Sequence, residues 1–297
     1  MSVVGIQAGL SVDHLVSEPA GARFSCPGGP ALYAALGARL VEGTGIRLTC
    51  PLPEADHRFA ALADRFGWDR RHCLAVPDVP RVWVLASARG RRIVSLEPPA
   101  GTELERGGPA EADDPQPPLP PPAFFEGLDG LVASAPAERP AAVPGTRVGL
   151  DPHQALIARD GAAHAVAICT PDTVLLPSRV QLKLLDPDPR RAARDLAARL
   201  RVPVVARLDM DGVYVVAGED TWSVRDRLVS VVETTGAGDS SAGAVVAALA
   251  GGAELVEAAA FGVAVARTAL ADWGHLALTE ATPLPRPHPG ITTRKES

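Results

Sequence analysis

At 297 residues the chain is long for one domain but within reach of a large α/β unit, and its 46% hydrophobic content is enough for a sizeable core. A net charge of −6 argues against nucleic acid or an anionic membrane surface as the main partner. The four cysteines, Cys26, Cys50, Cys73 and Cys169, form no C-x-x-C pair, which favours buried free thiols over a zinc site or disulfides.

In chain order, the first ten residues carry no basic leader and read as a strand over 3–8, so a cytoplasmic chain is expected. Residues 30–42 (PALYAALGARLVE) begin on proline and stop before Gly43, as a helix does. A short extended run at 47–50 and a helix at 56–66 follow, then β-rich runs at 81–88 and 91–96 joined by Arg89-Gly90, a hairpin signature. Residues 107–123 (GGPAEADDPQPPLPPPA) are too rich in proline and acid to pack and read as a surface loop. Their PPLPPP run could serve as a polyproline ligand, although an inert loop is the simpler reading. Strands are expected at 130–133, 147–150, 165–168, 173–176, 202–206 and 212–216, with a helix at 189–200. Residues 228–232 (LVSVV) read as an extended edge, 241–249 as a helix, and 254–272 as a helix apolar almost all round. Polar and glycine residues interrupt 242–271, so it is no membrane span, and 283–297 reads as a mobile tail. Strands alternating with helices imply one α/β domain over 1–297, its mainly parallel sheet covered on both faces.

The stretch ETTGAGDSSAGA, 233–244, stands at the start of an expected helix. There backbone N–H groups lack partners and the helix dipole is positive. Gly236 and Gly238 would let a phosphate approach those donors, and Asp239 would take a proton from a hydroxyl attacking phosphorus. A helix cap on a tight turn explains the same residues without chemistry. A serine nucleophile at GDSS is disfavoured, because no G-x-S-x-G is present.

TTGAGD, 234–239, followed by an alanine-rich helix, resembles the C-terminal signature of the ribokinase-like (PfkB) carbohydrate and nucleoside kinases. GLSVDHLV with Asp13, CPGGPALYAALGARL with Gly28 and Gly29, the hairpin RVWVLASARGRRIVSLEPPAG and the strand VGLDPH resemble further parts of that family in the same order. The resemblance implies a three-layer αβα sandwich with a small β lid, its lid segments about 11–26 and 81–98. It implies an ATP-dependent kinase, a transferase to an alcohol group of a sugar, cyclitol or nucleoside, using Mg2+. Asp239 would be the base, and Gly236, Ala237 and Gly238 the anion hole. Asp13, Gly28, Gly29, Tyr33 and Trp83 would serve the acceptor, and Arg207, Asp209, Thr235, Phe261, Gly262 and Ala266 the nucleotide. The missing Walker loop fits, because the family does not use one.

Three departures from the family's pattern qualify this. Its Asn-x-x-Glu motif is matched by Ser178 and Gln181, which leaves Gln181 only an indirect part in metal binding. Its Thr-Leu-Gly is Arg207-Leu208-Asp209, and the Asn four residues after the Gly-Gly pair is Tyr33. A working kinase with an unusual acceptor and a non-catalytic sugar- or nucleoside-binding protein both remain open. Phe24, Tyr33 and Trp83 could stack a ring in the pocket or simply pack. Arg81, Arg89, Arg91 and Arg92 could meet an acceptor phosphate or solvate the hairpin. His14, His153 and His275 have no metal-ligand spacing. Lid strands of the resembling family pair across a homodimer, and the open hairpin edges here would allow it.

Overall fold

The computed structural model describes residues 1–87, 90–95, 119–141, 144–286 and 290–296. Arg89 of the hairpin, residues 96–98 of the expected lid and residues 107–118 of the proline-rich loop lie outside the described residues. Among the described residues, the main sheet has nine strands. Its parallel part comprises β4 (Thr44–Thr49), β1 (Ser2–Gln7), β9 (Gly130–Ser134), β10 (Arg147–Asp151), β11 (Thr173–Leu175) and β12 (Val204–Arg207). An antiparallel flank follows: β13 (Val213–Ala217), β14 (Asp220–Asp226) and β15 (Ile291–Glu296).

Strand residues alternate between the two faces, and the side chains divide accordingly. Val132, Val205 and Val215 join a core with helices Pro30–Ala38, Ala237–Ala250 and Leu255–Leu270. Leu131, Ala133, Val204, Ala206 and Tyr214 join another with helices Arg179–Leu185 and Pro189–Leu200. Helices therefore cover both faces, which makes the three layers. A separate four-stranded sheet runs β3-β2-β7-β8, from β2 (Ser11–Ser17), β3 (Gly21–Gly28), β7 (Arg81–Ser87) and β8 (Gly90–Ser95). This is the lid sheet. Among the described residues no helix is long and apolar enough to cross a membrane.

Three expected elements differ. Residues 165–168 belong to a helix, Ala162–Ile168, because Ala165 and Ile168 lie one turn apart and are buried together. Residues 228–232 are not a strand: Leu228, Val229 and Val231 are exposed, and the chain pairs earlier, as β14. The expected tail carries β15, whose side chains are mostly exposed. It is held by its ladder to β14, by Arg190 Nη1 to Glu296 Oε1 at 2.8 Å and by Lys295 Nζ to Asp220 Oδ1 at 2.7 Å. Helix Pro189–Leu200 matches its sequence expectation at both ends, with Asp188 capping the Arg190 amide and proline at the first turn.

Candidate active site

In an open parallel sheet, ligands settle beyond the carboxyl ends of the strands. Asp151 and Arg207 are the last residues of β10 and β12. The helix Ala237–Ala250 begins against them. A Cβ on Gly238 would stand 3.0 Å from Arg207 Nη1.

That helix starts sharply because Gly236 takes φ +75°, and a side chain there would strike the Tyr33 ring. Ala237 N–H reaches Thr234 O at 3.4 Å, and Asp239 sits in the first turn, half-buried. Glu233 braces the approach to the turn. Its Oε1 accepts from Thr235 N at 2.8 Å and Thr235 Oγ1 at 2.6 Å, and its Oε2 from Gly274 N at 3.4 Å.

Asp13 comes to the same place from the lid. It is buried, and its Oδ1 accepts from Ser11 Oγ at 2.6 Å. Gly28 is bare because a Cβ there would collide with the Asp13 carboxylate, and Gly29 (φ +91°) because a Cβ would lie 2.6 Å from Leu10 Cα and Ser11 N. Burial pushes the Asp13 carboxyl up to about 6. Ser11 and Arg91 oppose that rise, while the negative charges of Glu233 and Asp239 add to it. Three carboxylates therefore share one locality. Tyr33, wholly buried beside them, keeps its phenol protonated far beyond the ordinary range, chiefly through burial. Its hydroxyl has no partner among the described residues, and a Cβ on Gly274 would lie 3.3 Å from it.

Arg207 Nη2 donates to Asp151 Oδ2 at 2.5 Å, both side chains being 11% exposed. Gln181 Nε2 donates to Asp151 Oδ1 at 3.0 Å and to Pro152 O at 2.6 Å, while its Oε1 accepts from Ser178 N at 2.6 Å. The amide is thereby spent inside the protein, so Gln181 does not fit a role in ordering magnesium. Among the described residues no group of three or more His, Cys, Asp or Glu is arranged for a metal ion.

Residues 185–278 match the pfkB family carbohydrate kinase profile. The structure overlays fructokinase from Vibrio cholerae O395, solved with fructose, ADP and calcium, at a TM-score of 0.66 and 17% identity over 94% of this chain and 96% of that one. Ribokinase from Cryptococcus neoformans var. grubii serotype A with ADP gives 0.66 and 16%, covering 96% and 98%. Aminoimidazole riboside kinase from Salmonella enterica, with aminoimidazole riboside and an ATP analog, gives 0.66 and 18%, covering 96% and 97%. The chain has the ribokinase-like fold and carries a PfkB segment. No curated protein matches it by sequence.

Several expected residues of this ribokinase-like chain stand elsewhere than the resemblance placed them. Trp83 pairs with His14 in the lid register, one residue out of phase with Asp13 and its partner Val82. It therefore points to the lid's other face, where its ring lies 5.0 Å from His14 and 5.8 Å from Phe24. Tyr33 underlies Gly236 rather than opening on an acceptor. Phe261 is buried core, and Gly262 is a packing position, since a Cβ would meet Ser241 Oγ at 2.7 Å; Ala266 is half-buried. Asp209 is exposed on a short 3-10 turn at φ +54°. A positive φ explains why the family's pattern has glycine at this position. Glu233, Asp151 and Ser11 were not singled out from the sequence, although ETTGAGD and VGLDPH contain the first two. A carboxylate adjoining a glycine turn and one ending an apolar strand were the signals available.

Proposed function

We propose that the chain is a phosphotransferase moving the terminal phosphoryl group of ATP to an alcohol group of a sugar, cyclitol or nucleoside. The observation that carries this reading is Asp239 in the first turn of a glycine-started helix, close enough to the buried Asp13 for its charge to raise that group. Relatives of this fold bound to fructose and ADP, or to aminoimidazole riboside and an ATP analog, support the substrate classes.

Asp13 accepts hydrogen bonds from hydroxyls of the acceptor and holds it. The attacking hydroxyl passes its proton to the Asp239 carboxylate as its oxygen bonds to phosphorus, and the bond to the departing ADP oxygen breaks. Amides at 236–238 meet the charge gathering on the phosphoryl oxygens, and they need no reorganisation to do so.

The lid's outer face bears Phe24, 61% exposed, and Leu85, 39% exposed, beside Trp83, between β3 and β8, the edge strands among the described residues. A second copy, presenting the same rings and edge strands, is the occupant we assign to it.

Mass spectrometry of the chain with ATP, GTP or pyrophosphate against sugars, cyclitols, aminosugars and nucleosides tests the reading. A phosphorylated product identifies the acceptor class. No product from any pair, with the protein folded, leaves a binding protein of the same fold, the reading that the spent Gln181 amide favours.

A further inference from the structure

A guanidinium lies against the positive end of a helix, and electrostatics alone disfavours that pairing. Arg207 Nη1 is seated over Gly238, where a Cβ would come within 3.0 Å of it. Two positive features side by side at one strand edge would both attract an anion bound there. We propose that Arg207 is a phosphate-binding catalytic residue that clamps the transferred phosphoryl group against the Gly236–Gly238 amides. The proposal rests on the phosphotransferase reading and deepens it.

The support behind Arg207 is complete, while its front is not. Asp151 holds Nη2, Gln181 holds the other Asp151 oxygen, and Gln181 is itself locked in a capping box with Ser178 and tied to Pro152 O. Every polar atom of the Gln181 amide faces backward into the fold. The buried Nε–H of Arg207, by contrast, has no hydrogen-bond partner among the described residues. A guanidinium whose Nη2 is held by Asp151 while its Nε–H is unspent still has N–H groups to offer phosphate oxygens.

Charge balance points the same way. Asp13, Glu233 and Asp239 share the site, and Asp151 ends the strand next to it, so an arriving polyphosphate meets several carboxylates. Arg207 offsets Asp151 and supplies a fixed cation where the phosphoryl charge spreads. Gln181 then has a reason to be neutral. A carboxylate at its position would stand about 3 Å from Asp151 Oδ1, repel it, and loosen the hold on Arg207. Restoring the family's glutamate by Gln181→Glu should therefore lower phosphoryl transfer.

The test compares the wild-type protein with Arg207→Met, Arg207→Lys, Gln181→Glu and the double variant Asp151→Asn/Arg207→Met. Two readouts are taken: calorimetric affinity for tripolyphosphate at fixed ionic strength, and phosphoryl transfer to the acceptor found by the screen. Arg207→Met should weaken tripolyphosphate binding by about tenfold or more and transfer by roughly 10² to 10³-fold. Arg207→Lys should fall between, since a point charge replaces the fork. The double variant leaves no buried charge unpaired, so it stays foldable should Arg207→Met not fold. It should show the same loss of tripolyphosphate affinity. Wild-type affinity in either Met variant, with only the melting temperature lowered, would make Arg207–Asp151 a structural ion pair and overturn the proposal. So would faster transfer in Gln181→Glu. Should the wild-type protein bind tripolyphosphate through Arg207 yet phosphorylate nothing, the clamp stands and the kinase reading fails. Transfer unchanged by Arg207→Met gives the reverse.

Discussion

Asp13 loses water on burial, and the Ser11 hydroxyl and the Arg91 charge offset that loss only in part, so its carboxyl rises from 3.8 to about 6. Below 3.8 folded and unfolded chains both hold that proton; between 3.8 and about 6 the folded chain holds more of it. The stability it contributes is therefore full below 3.8 and is lost as pH climbs through about 6, amounting to about 3 kcal/mol at most. Asp13→Asn should flatten that part of the pH–stability curve and be the more stable protein at pH 7, as urea unfolding at pH 4, 5 and 7 would show. Acceptor binding follows the opposite sense, because only the ionised carboxylate accepts from two hydroxyls. The KM for the acceptor should climb as pH drops below about 6. At Asp209 the backbone takes a left-handed conformation that glycine adopts without cost, so Asp209→Gly should raise stability by about 0.5–1 kcal/mol in thermal unfolding.

Two helices set the distance between the Gly28–Gly29 turn and the Gly236 turn. Helix Pro30–Ala38 and helix Ala237–Ala250 approach so closely that a Cβ on Gly243 would collide with Ala34 O, and one on Gly37 with Ser240 O. Gly243→Ala must push the helices apart, which should cost about 1–3 kcal/mol and lower transfer together with stability. Ser178→Ala should cost about 1 kcal/mol through the lost cap and release Gln181 from its place behind Asp151. Elements with a signal at each end were legible in the sequence: helix Pro189–Leu200 has its cap, its proline and an amphipathic face within twelve residues. A four-residue apolar run has no such signal, and 165–168 reads the same as a buried strand or as the end of a helix. β15 had no apolar signature at all, since pairing and the Glu296–Arg190 contact hold it.

Across the whole molecule, the parallel strands bring residues distant in sequence to one edge, and this governs what could be read in advance. The glycine-started helix that carries Asp239 was legible because its signal is local. The Arg207–Asp151–Gln181 chain was not, because its partners are 56 and 30 residues apart and meet only once β10 and β12 take their order in the sheet. The lid corrected the reading of its aromatic residues in the same manner, since strand phase turns Trp83 away from Asp13. If that outer face is covered by a second copy, Phe24→Glu should convert a dimer into a monomer in sedimentation while leaving the fold intact. The central claim, that Asp239 removes the acceptor's proton at a glycine-started helix, is tested most directly by transfer rates in the wild-type protein and Asp239→Asn, with ADP affinity measured on both. A rate loss on the order of 10² to 10⁴-fold with ADP affinity retained is the predicted result. Equal rates in the two proteins would contradict it.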